Sequence, residues 1–187
     1  FSTEESEPSD ILELIRDSWR DIGIKLFLKP MQRDVLRNRI FSGLVKMSMW
    51  FGLENGIPSA DASPQELAPT TQQQLQWPKW GQFVETRGRA GEAVDMPQAL
   101  RLSALNKKWA EAPTQDGRRK IWIEMLDIYT KQLFSVGIIS SVPQVVVASK
   151  HLRNVPKRAI YNWDPGAHFG VYRPDGFWFD AKKRKLN

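Results

Sequence analysis

The chain has 187 residues, a net charge of +6, 41% apolar residues and no cysteine. That length suits one domain with a buried core, while the missing thiols exclude disulfides, thiol nucleophiles and cysteine-ligated zinc. No apolar run approaches the roughly 18 residues of a membrane-spanning helix, and four of the six excess charges sit in one terminal run, Lys182 to Lys185, leaving no one-sign stripe for nucleic acid.

In chain order, Ile11, Ile15, Trp19 and Ile22 come first, spaced 4, 4 and 3 apart. They predict one apolar face of a helix. Pro8 fits its first turn, Glu4, Glu5 and Glu7 lie near the positive end of its dipole, and Gly23 stops it. Ile24-Lys25-Leu26-Phe27-Leu28 is short, apolar and bounded by Pro30, which predicts a strand. Gln32 to Phe41 returns to helix, with Leu36 and Ile40 on one face and Gly43 closing it. Lys46 to Trp50 then alternates polar and apolar residues as a strand does. This α-β-α-β order favours parallel strands with right-handed crossovers, so the expected fold class is α/β. The second strand empties into Met49-Trp50-Phe51-Gly52-Leu53-Glu54-Asn55-Gly56. In open α/β sheets ligands collect where strand ends meet loops. This loop offers aromatics, a carboxylate and an amide for holding something, and no evident means of reacting with it.

Asn55 to Gly91 has little periodicity and is rich in Pro, Gly, Thr and Gln. A structureless loop this long inside a compact domain is usually functional or ordered by packing. Asp61 to Leu67 opens at most one short helix, and Gly88-Arg89-Ala90-Gly91 reads as a turn, since it lacks a phosphate-loop lysine and a preceding strand. Trp77 and Trp80 flank Pro78-Lys79 in irregular chain. Such rings either stack on a ligand or pin the loop to its own domain. Order returns at Pro97 to Ala110, where Leu102, Leu105 and Trp109 share a helix face. Thr114 is placed to cap the next helix, which runs to about Phe134 with Trp122, Met125, Leu126, Tyr129 and Leu133 at helical spacing. Gly137 to Val142 and Gln144 to Ala148 read as two further strands around Pro143, and after Pro156 the chain is turn-rich and aromatic.

The chemistry-bearing residues are sparse. His151 and His168 are the only imidazoles, and neither stands in a metal-ligand spacing. No nucleophile elbow, phosphate loop or zinc-protease helix occurs. Glu54, Asp61 and Glu66 are the carboxylates from which a glycosidase-like acid–base pair would have to be drawn. Trp19, Trp109 and Trp122 lie on apolar helix stripes and read as core, whereas Trp50 reads equally as pocket or core. No catalytic residue, metal or cofactor is expected.

Several runs, taken together, resemble the family 5 extracellular solute-binding proteins, the peptide- and nickel-type receptors of ABC importers. They are Leu14 to Leu26 with its Ile22-Gly23-Ile24 centre, Arg39 to Gly43, Met49 to Gly52, Pro143 to Val147, Leu152 to Pro156, and Phe177 to Phe179. The resemblance implies one lobe of a type II periplasmic-binding-protein fold, a mixed sheet flanked by helices. It further implies that residues 1–156 form the C-terminal ligand-binding lobe, and that residues 157–187 pack on an absent N-terminal lobe and end in a basic tail. A chain opening at Phe1, without an initiator Met, fits that division. The implied ligand is a peptide or similar polar organic solute held between two lobes and passed to membrane permease subunits, at a periplasmic or extracytoplasmic location, with or without a membrane anchor. Trp50, Phe51, Gly52, Glu54, Asn55, Trp77 and Trp80 are the expected ligand-binding residues. In peptide-binding relatives a loop aspartate pairs with the ligand's amino group. Here the nearest position is Leu53, and Glu54 stands one residue on, so an oligosaccharide- or opine-binding receptor remains an alternative, as does a glycosidase-like enzyme.

Overall fold

A computed structural model describes residues 2–4, 7–50, 60–138, 145–158 and 174–180. Among these, five α-helices dominate: α1 (Glu7–Asp21), α2 (Arg33–Phe41), α3 (Pro78–Glu85), α4 (Pro97–Glu111) and α5 (Gln115–Gln132). Strand content is small. β1 (Ser2–Glu4) pairs in parallel with β2 (Lys29–Met31), Ser2 opposite Lys29, so α1 is the crossover of a short β-α-β unit. β3 (Leu152–Arg153) pairs antiparallel with β4 (Trp178–Phe179).

The expected α/β lobe with a mixed sheet flanked by helices is therefore overturned. The two pairs do not join into one sheet. Among the described residues Ile24 to Leu28 has no regular structure, and the only pairing between Lys46 and Trp50 is an isolated bridge at Ser48. Gly137, Ile138 and Val145 to Ala148 likewise have no regular structure, and residues 139–144 lie outside the described part. The physical reason lies in where the apolar area goes. β propensity measures fit to neighbouring strands more than an intrinsic backbone preference, and among the described residues these segments meet no partner strand. Phe27 is left 70% exposed, and Val145 and Val147 are 90% and 92% exposed. Of the expected terminal segment 157–187, only 157–158 and 174–180 are described.

The main core is helix on helix. Leu102 and Leu105 of α4 and Trp122 and Met125 of α5 pack with Leu67, Ala68 and Trp77. The three-residue connection Ala112 to Thr114 turns α4 back along α5, where Arg101 makes a two-pronged bond to the Glu124 carboxylate. Thr114 caps α5 as its position predicts, its Oγ1 accepting from the Gly117 N–H at 3.2 Å. A second cluster joins Met31, Leu36 and Ile40, with Phe41, Val45, Trp50 and Leu75 packed against it.

Helix ends follow simple chemistry. α1 closes with Gly23 at φ 83°, Ile24 N–H bonding Trp19 O and Gly23 N–H bonding Arg20 O, both at 2.9 Å. α2 closes the same way on Gly43, with Leu44 N–H to Arg39 O and Gly43 N–H to Ile40 O. These paired bonds satisfy last-turn carbonyls and require a left-handed residue that glycine adopts without strain. The α1 stripe is only partly covered: Leu12 is fully buried, Ile11, Ile15 and Trp19 are half-buried, and Ile22, past the helix end, is 71% exposed.

Candidate ligand-binding surface

The irregular stretch from Ala60 to Gln76 is fastened to the helices by the polar tips of buried and half-buried aromatics. Trp109 Nε1–H donates to Ala60 O at 2.8 Å, Trp122 Nε1–H to Ala62 O at 2.9 Å, and the Tyr129 hydroxyl to Glu66 O at 3.3 Å. The Asp61 carboxylate adds a fourth tie, accepting from Gln115 Nε2 at 2.8 Å and Arg118 Nη1 at 2.9 Å. Gln76 donates to both the Tyr129 hydroxyl and Glu66 O. Aromatic rings supply apolar area to the core while their N–H and O–H groups satisfy loop carbonyls that would otherwise be stranded. Burial pushes the Tyr129 phenol well above its ordinary pKa; the hydrogen bond from Gln76 opposes that shift and the Glu66 carboxylate reinforces it.

Against that frame the expected site residues separate. Trp77 is buried in the main core and stacks on Trp80 with ring centroids 6.2 Å apart, edge-on to Tyr129 and Phe134 at 6.0 and 5.1 Å. Among the described residues its indole N–H has no acceptor. Trp80 is half-buried against the same cluster. Trp50 is half-buried against the second cluster, with the Arg33 guanidinium 5.4 Å above its ring. Leu75 packs with Trp50's cluster and Trp77 with the other, so residues 75–77 run along the seam between them. Phe51, Gly52, Glu54 and Asn55 lie outside the described residues.

Sequence reading missed the basic flank of α2. Arg33 and Arg37, one helical turn apart, place their guanidinium groups over Trp50 and Phe41 at 5.4 and 5.7 Å, and Arg37 also bonds the Gln73 side-chain oxygen. The i, i+4 spacing beside Phe41 was the available signal. Stacked guanidinium groups offer charge-assisted donors to a carboxylate or another planar anion.

Elsewhere the chemistry is quiet. An open hollow of about 370 Å³ at the start of α5 is lined by Ala60, Gln115, Asp116 and Arg119. The Asp116 carboxylate is paired with Lys120 at 2.8 Å, and the bond lowers the Asp116 pKa and raises that of Lys120. Among the described residues no group of three His, Asp or Glu is gathered as metal ligands, and no helix is long and apolar enough to cross a membrane. His151 carries a backbone role, its carbonyl accepting from Asp180 N–H at 3.0 Å. No family model matches the chain, and no curated protein matches it significantly.

Proposed function

We propose that this chain is part of a solute receptor of an ABC importer, which holds a peptide-like polar organic molecule and passes it on without chemical change. The observation that carries the proposal is the ordered series of receptor-like runs from Leu14 to Phe179. The parallel β1-α1-β2 unit adds support, because it builds the first of those runs around a crossover helix. The binding surface in this reading is made of loops and helix flanks, with Trp50 at its centre. The Arg33 guanidinium over Trp50 favours a ligand carrying a carboxylate over a neutral oligosaccharide.

Calorimetry on the full receptor tests this with matched peptides. Exchanging Arg33 for Gln weakens a peptide with a free carboxylate about tenfold or more, equivalent to ~1.4 kcal/mol, and leaves its C-amidated counterpart nearly unchanged. Equal losses for both peptides remove the carboxylate assignment. Failure of the unaltered receptor to bind any peptide, sugar or opine removes the receptor proposal itself.

A further inference from the structure

We draw no further inference here: the strongest candidate, the exposed apolar run Val145 to Val147 between α5 and β3, is an unpartnered face, and nothing in the structure shows what covers it.

Discussion

At the scale of single residues, Gly81 and Tyr129 make the sharpest predictions. Gly81 lies inside α3, where exchange for Ala ordinarily gains up to ~1 kcal/mol of helix propensity. A Cβ there would sit 2.0 Å from Thr71 O, because the helix backbone packs directly on the Thr71–Gln72 peptide. Backbone must move to admit it, so Gly81→Ala is expected to destabilise by about 1–3 kcal/mol. Urea unfolding reads the sign, and a stabilised variant contradicts the close approach. Tyr129 gives a pH dependence. Its folded pKa lies above the unfolded value, so its contribution is intact below that value, near 10. At higher pH the unfolded chain ionises first, and stability falls by up to about 1.4 kcal/mol per pH unit. Alkaline denaturation of wild type and Tyr129→Phe tests this: the variant loses that slope, and identical slopes place the phenol in water.

At the scale of elements, α4 and α5 should be the most protected part of the chain. They share a core with Leu67 and Trp77, and α5 is capped by Thr114. Hydrogen exchange is expected to be slowest there and fast in residues 24–28, 135–138 and 145–148, which have no ladder among the described residues. Slow exchange across 145–148 contradicts that ordering. Helices were legible because their information is local. The Leu102, Leu105 and Trp109 spacing, the Thr114 cap and the glycines at 23 and 43 each specify a helix or its end without reference to distant chain. α3 was also legible in principle, since Pro78 occupies the first helical position, but the Pro-rich surroundings masked it. Ile24 to Leu28 and Val145 to Ala148 misled for the opposite reason. Their short apolar runs state what a strand would bury, while only a partner strand makes them strands. The site was less legible still. Trp50, at the end of an expected strand, and Trp77 and Trp80, in irregular chain, were all read as ligand contacts, yet packing sends Trp50 to one cluster and the other two to another.

At the scale of the whole molecule, the core shared by α4 and α5 stands apart from the Trp50 surface that would do the binding in the proposed receptor. A ligand held between two lobes draws much of its desolvation from each, and every tenfold of affinity is about 1.4 kcal/mol. Losing several buried polar contacts at ~1 kcal/mol or more each removes orders of magnitude. On the proposed receptor reading, calorimetry should therefore find this chain alone binding the ligand far more weakly than the full receptor, and equal affinity would place the entire site in these residues. The central claim, that the protein holds a solute and does not transform it, is met most directly by native mass spectrometry of the full receptor as purified. The account predicts a bound small polar organic molecule, released intact on denaturation and carrying a carboxylate. A receptor that retains nothing and binds none of the peptides, opines or oligosaccharides offered, or one that releases its ligand as a cleaved product, would contradict it.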